Sequence, residues 1–228
     1  CFSSGGRHSC PDSDCMSDVC PSDLLWLILW TLRSVNVALL KIDQIGAPVL
    51  RLRADEVTHA ESNSPKIQTL IDDMIQTMRD ANGAGIAANQ VYSPVRICVI
   101  ETRGNNPRYP YKPTIPLTVM INPVIEALSN EQFDNLEGCL SVPNLRGLVP
   151  RDAKISLQYL DRHGEPQRAE YVGVSAGTFQ HECDHLDGKL FVDKVIDHST
   201  LTTLENFARH HEAKCVADAT AVVERYGG

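Results

Sequence analysis

The chain has 228 residues with 21 basic and 29 acidic side chains, a formal charge of -8 and 43% hydrophobic residues. That length is enough to bury a substantial core, and the near-average hydrophobic and charged content excludes a wholly disordered chain. The acidic balance argues against a nucleic-acid or anionic-membrane binder, because such proteins neutralise phosphate with Lys and Arg.

Residues 1–23 are rich in Ser, Gly, Cys and Asp and follow neither the helical nor the strand period. Cys1, Cys10, Cys15 and Cys20 crowd there without the C-x-x-C pair of a zinc site. Cys98, Cys139, Cys183 and Cys215 are scattered and read as reduced thiols or ligands, which makes cytosolic the default compartment. The apolar run from Leu24 to Leu32 is too short to cross a membrane. It has the length of a secretory signal, but Asp12, Asp14, Asp18 and Asp23 stand where basic residues belong, and no cleavage motif follows. Residues 1–34 are therefore expected to be an N-terminal segment of unknown role, disordered or foreign to the domain that follows.

From residue 35 the composition changes. Ile67, Leu70, Ile71, Met74, Ile75 and Met78 fall at helical spacing, with Ser64 as N-cap and Pro65 at the first position, which predicts a helix over 65–79. Residues 95–101 and 117–121 read as strands, separated by a Pro-rich loop over 105–116. Alternation of Ile155, Leu157 and Tyr159 predicts a strand over 153–160, closed by a turn at 161–165. Helix is expected from Phe179 onward and again over 201–223. No internal repeat is present. Strands in the middle and helices toward both ends argue for an α+β domain rather than alternating βαβ units.

The strongest chemical signal is His181-Glu182-Cys183-Asp184-His185. Histidines four apart share one helix face and can bind one metal ion, with a carboxylate beside it to take a proton from water. A catalytic site needs a third protein ligand. The metzincin pattern fails, because Phe191 stands where its third histidine belongs. Glu205 could serve as it does in a thermolysin-like zinc peptidase, and Cys139 in Glu137-Gly138-Cys139-Leu140-Ser141 could supply a thiolate. A third block, Gly83-Ala84-Gly85-Ile86-Ala87-Ala88-Asn89-Gln90, reads by itself as a helix end running into a buried strand or as a weak phosphate loop. Cys183 points away from the ligand face, and His8, His59, His163, His198, His210 and His211 have no partner pattern and read as surface residues.

Taken together and in this order, the three blocks resemble the motifs of the peptide deformylase family: G-x-G-x-A-A-x-Q at 83–90, E-G-C-L-S at 137–141 and Q-H-E-x-D-H at 180–185. The resemblance runs from about Leu40 to about Val195. It implies mixed and antiparallel sheets packed around a central helix that carries H-E-x-x-H, with a C-terminal helix, and makes 35–228 the catalytic domain. It implies that Cys139, His181 and His185 hold one divalent metal, natively Fe2+, with Zn2+, Ni2+ or Co2+ able to substitute. Glu182 would be the general base, and Gln90 with the Leu140 N–H would hold the oxyanion, each donor contributing about 3 kcal/mol. Gly83, Ala84, Gly85 and Gly138 would border an extended substrate. The reaction implied is removal of the formyl group from N-formylmethionyl nascent chains near the ribosome exit, without nucleic-acid readout or membrane attachment. The compartment implied is the bacterial cytoplasm or an organelle descended from it. Asp184 is expected to orient a ligand or the helix, and Glu137 to pair with Arg146 or Arg151. Ala84, Gly177 and Thr178 are smaller than the family's usual residues and are expected to reshape the methionine pocket.

Overall fold

Ser64 begins the first long helix, α1 (Pro65–Asp80), by accepting a hydrogen bond from Ile67 N, with Pro65 at a position whose missing N–H costs nothing. Its apolar face buries Ile67, Ile71, Met74, Ile75 and Met78. Asp73 and Thr77 on the same helix accept from Ala38 N at 2.7 Å and Leu40 N at 2.9 Å, which ties down the incoming chain. The computed structural model describes residues 37–104 and 112–227. The expected segment 1–34, including its apolar run and cysteines, and most of the loop 105–116 lie outside these described residues.

Eight strands follow in chain order: β1 (Gly85–Ala87), β2 (Ile97–Thr102), β3 (Ile115–Ala127), β4 (Gln132–Cys139), β5 (Val142–Asp152), β6 (Lys154–Leu160), β7 (Pro166–Val172) and β8 (Thr202–Thr203). They form a five-stranded sheet in the order β1-β2-β3-β6-β7 and a three-stranded sheet in the order β4-β5-β8. Every strand pair is antiparallel. The isolated bridge between Asp55 and Val95 is the one parallel pairing among the described residues, so the mixed component of the expected sheets is confined to it.

Between the sheets runs α2 (Gly173–Leu186), packed on β1, β2, β3 and β7 of one sheet and on β5 of the other. It starts six residues before the expected Phe179. Gly173 turns the chain out of β7 at φ +53°, a conformation open to glycine. Gly188 stops the helix at φ +71°, with Gly188 N bonded to His185 O and Lys189 N to Asp184 O, a Schellman closure. Thirteen of its fourteen residues are buried, so no polar face reveals its period. Phe179 is fully buried and stacks on Tyr171 at 3.8 Å, worth about 1.5–3 kcal/mol from burial alone.

The expected C-terminal helix divides. Thr202 and Thr203 pair with Arg146 and Leu145 of β5 before any helix begins, a π-helical turn follows at Phe207–His211, and α3 (Glu212–Tyr226) completes the chain. No residue of α3 is buried, unlike α2.

Candidate active site

The three sequence blocks meet where α2 faces the turn between β4 and β5. Cys139 ends β4, and its Sγ lies 3.2 Å from His185 Nε2. His181 stands one turn earlier on α2, its ring 5.0 Å from that of His185. One ligand atom from each of the three residues lies within 4.8 Å of the others. The Ser141 amide donates to Cys139 Sγ at 3.3 Å, and Gln90 Nε2 approaches it at 3.5 Å. Burial opposes ionisation of the Cys139 thiol, but the facing His185 and His181 outweigh it and lower the thiol well below its usual range. This is the donor set of a soft divalent site, and it fits one ion.

His181 is held from behind. Its Nδ1 is 2.7 Å from Glu137 Oε2, which leaves Nε2 to face the site. Glu137 accepts two hydrogen bonds from Arg151, at 2.7 Å from Nε and 2.9 Å from Nη2. The same guanidinium bonds Asp184 through Nη1, and Lys194 reaches Asp184 at 2.8 Å. Burial pushes the Glu137 carboxyl upward, yet the Arg151 charge and its hydrogen bonds, with His181, hold it well below the usual carboxylate range. The carboxylate fixes the tautomer and orientation of the His181 ring, the kind of support a metal-ligating histidine receives. The expected pairing of Glu137 is with Arg151 and not Arg146, whose guanidinium lies 4.5 Å from the centre of the Phe207 ring, while Asp184 bonds Arg151 and Lys194. Arg151 is 1% exposed, so Arg151→Met strands two buried carboxylates. Urea unfolding should register a loss of about 3–5 kcal/mol, and a loss under about 1 kcal/mol would show the network to be dispensable.

Glu182 follows His181 on α2 and lines the same cleft as the candidate ligands. It is 4% exposed, and its Oε2 is buried with no hydrogen-bond partner among the described residues. Burial raises its pKa above the ordinary carboxylate value. The carboxyl rests against the backbone of Gly85, where a Cβ would stand 2.7 Å from Glu182 Cγ; this position admits no side chain. Gly83 is confined likewise, with Leu140 Cδ1 2.9 Å from its would-be Cβ. Gln90 is oriented by Ala87 N, which donates to Oε1 at 2.8 Å, so that Nε2 points to Ser141 Oγ at 2.9 Å and into the cleft. Ala84, Gly138 and Leu140 line the same cleft.

Glu205 is not brought to the histidines. It lies on the surface in an ion pair with Arg209 at 2.6 Å, with 72% of its side chain exposed, so the peptidase ligand set is not assembled. Cys183 is buried in the apolar core against β2, away from the ligand face as expected. His59, His163, His198, His210 and His211 are exposed; His8 lies outside the described residues. Two residues escaped the sequence reading. Asn89 donates to Leu52 O at 3.1 Å and His185 O at 2.8 Å, anchoring the end of α2. Lys112 places its ammonium in the cleft, and nothing in its Pro-rich surroundings signals that.

The family model for polypeptide deformylase matches residues 39–200. Peptide deformylase 2 of Nostoc sp. is 45% identical over 173 residues, 76% of this chain and 95% of its own. Peptide deformylase 1A, chloroplastic/mitochondrial, of Arabidopsis thaliana is 40% identical over 189 residues, 79% of this chain and 70% of its own. Among solved structures, the Met-Ala-Ser-bound class I type b peptide deformylase of Acinetobacter baumannii superposes with a TM-score of 0.67 and 41% identity, over 69% of this chain and 99% of that one. The matched stretch holds seven of the eight strands, the whole of α2 and every residue of the cleft, while Glu205 falls beyond it; the chain belongs to the polypeptide deformylase family.

Proposed function

We propose that the chain hydrolyses the N-formyl group from the amino-terminal methionine of nascent polypeptides and releases formate. The observation that carries this reading is the convergence of Gln90, Cys139, His181, Glu182 and His185 on one cleft. Cys139, His181 and His185 would hold one divalent ion, and the thiolate among them favours Fe2+, with Zn2+, Ni2+ or Co2+ as substitutes. When bound, the ion supplies Lewis acidity that polarises a carbonyl and acidifies water.

The chain's own groups divide the remaining work. Glu182 takes the proton from the attacking water and delivers it to the leaving amine, a role suited to a carboxyl whose pKa burial has raised. Gln90 Nε2, already aimed by Ala87, and the Leu140 N–H hold the oxygen that gains charge as the formyl carbon becomes tetrahedral. β1 is an edge strand of its sheet, so an extended peptide can add alongside Gly83, Ala84 and Gly85, with Gly138 across the cleft. Peptide-bond cleavage through Glu205 receives no support from this arrangement.

Among the described residues no helix is long and apolar enough to cross a membrane. Relatives include bacterial and chloroplastic/mitochondrial proteins, and the working place proposed here is such a compartment, near ribosomes that start chains with formyl-methionine. Protein purified anaerobically with Fe2+ should release formate from formyl-Met-Ala-Ser. Aerobic handling should abolish this activity through oxidation of the iron, and Ni2+ or Co2+ should restore it wherever Cys139 is still a thiolate. A well-folded, metal-loaded chain that releases no formate would end the proposal.

A further inference from the structure

One wall of the cleft is polar. Gly177 and Thr178, one turn before His181 on α2, face Asn135 of β4, and a Cβ on Gly177 would stand 2.9 Å from Asn135 Nδ2. Lys112 enters from the approach to β3 and donates from Nζ to Thr178 Oγ1 at 3.1 Å. That hydroxyl donates onward to Val174 O at 3.2 Å, so its lone pairs are fixed toward the lysine. Lys112 is partly exposed as a whole, while burial of its ammonium pushes the pKa down to about 8 against the opposing pull of Glu137 and Glu182; it remains mainly cationic at neutral pH.

Thr178 and Glu182 are four residues apart and share a helix face. A formyl group held at Glu182 therefore sends the first side chain of the peptide, which branches one atom beyond the amide nitrogen, toward this wall. We infer that Lys112, held by Thr178 beside Asn135, reads that first side chain and favours one that carries a hydrogen-bond acceptor, weakly the thioether sulfur of methionine and more strongly the oxygen of methionine sulfoxide, over an apolar chain of equal length. Oxidation turns the methionine side chain polar, and an apolar pocket would reject it at the cost of desolvation. An ammonium group offers the sulfoxide oxygen a charge-assisted hydrogen bond instead. The substrate class extends in this way to formylated chains whose first residue is already oxidised.

The inference rests on the deformylase reading above, and its test separates the two. Formate release is measured for formyl-Met-Ala-Ser, formyl-norleucine-Ala-Ser and formyl-methionine-sulfoxide-Ala-Ser, with the metal-loaded full chain, Lys112→Met and Lys112→Arg. The ratio of kcat/KM for sulfoxide over norleucine should fall about tenfold in Lys112→Met, the discrimination one charge-assisted hydrogen bond supplies. Lys112→Arg should keep the ratio within about twofold. Each ratio is internal to one protein, so a partly folded variant still reports it. A ratio unchanged in Lys112→Met, or lost as fully in Lys112→Arg, overturns the inference while formate from formyl-Met-Ala-Ser leaves the reaction standing. Formate from none of the three peptides overturns the reaction, and the inference with it.

Discussion

Glu182→Gln is expected to lower kcat for formate release from formyl-Met-Ala-Ser by about 10³-fold, within the range that loss of a positioned general acid–base carries. The amide matches the carboxyl in shape and still fits against Gly85, so the backbone there has no cause to move. What disappears is the proton acceptor. The native carboxyl is buried with one oxygen unpartnered, an arrangement that favours the neutral form. The variant should therefore match or exceed the wild type in melting temperature while retaining its metal. Activity and stability moving in opposite directions would mark Glu182 as a group kept for chemistry at the expense of the fold. A kcat within tenfold of wild type would remove Glu182 from the role of base.

Cys139→Ala is expected to strip the metal from purified protein, whereas Glu205→Ala should leave metal content and formate release unchanged. Loss of the thiolate removes one of three protein ligands, a larger change than the about 10–100-fold loss of affinity seen when only an outer partner of a ligand is altered. It also leaves His185 Nε2 facing the space vacated by the sulfur. Cys139 is buried at the end of β4, and alanine keeps the strand register with Val142, so circular dichroism should show an intact fold. Metal analysis decides the case. Retention of a stoichiometric ion by Cys139→Ala, or its loss in Glu205→Ala, would return the third-ligand role to Glu205.

The parts legible in sequence were those whose pattern is local. α1 carries its cap, its proline and its apolar stripe in one stretch, and the structure extends it by a single residue beyond 79. The motifs declared the candidate ligands Cys139, His181 and His185 because their residue types are rare in combination. β4 was illegible for a physical reason. Asn135, Glu137 and Cys139 alternate inward, so the strand presents polar groups to the interior and inverts the usual hydrophobic signal. α2 was seen only from Phe179, because Gly173, Ser175, Gly177 and Thr178 are poor helix formers and burial on all sides erases any period. Tertiary packing, not propensity, makes those first turns helical. The choice between Arg146 and Arg151 as partner of Glu137 stayed open in the sequence, since nothing local tells a guanidinium that will be 1% exposed from one that will be solvated.

The two elements that meet at the site are distant along the chain, Cys139 and His185 being 46 residues apart. An ion held between them joins the β4–β5 hairpin to α2 as well as equipping the cleft. The unfolded chain offers no such preassembled set of ligands, so whatever binds the native form shifts the folding equilibrium, by about 4 kcal/mol at a thousandfold excess over the dissociation constant. On the metal-site reading proposed above, supply of the ion would set how much of this protein stays folded as well as how fast each copy turns over.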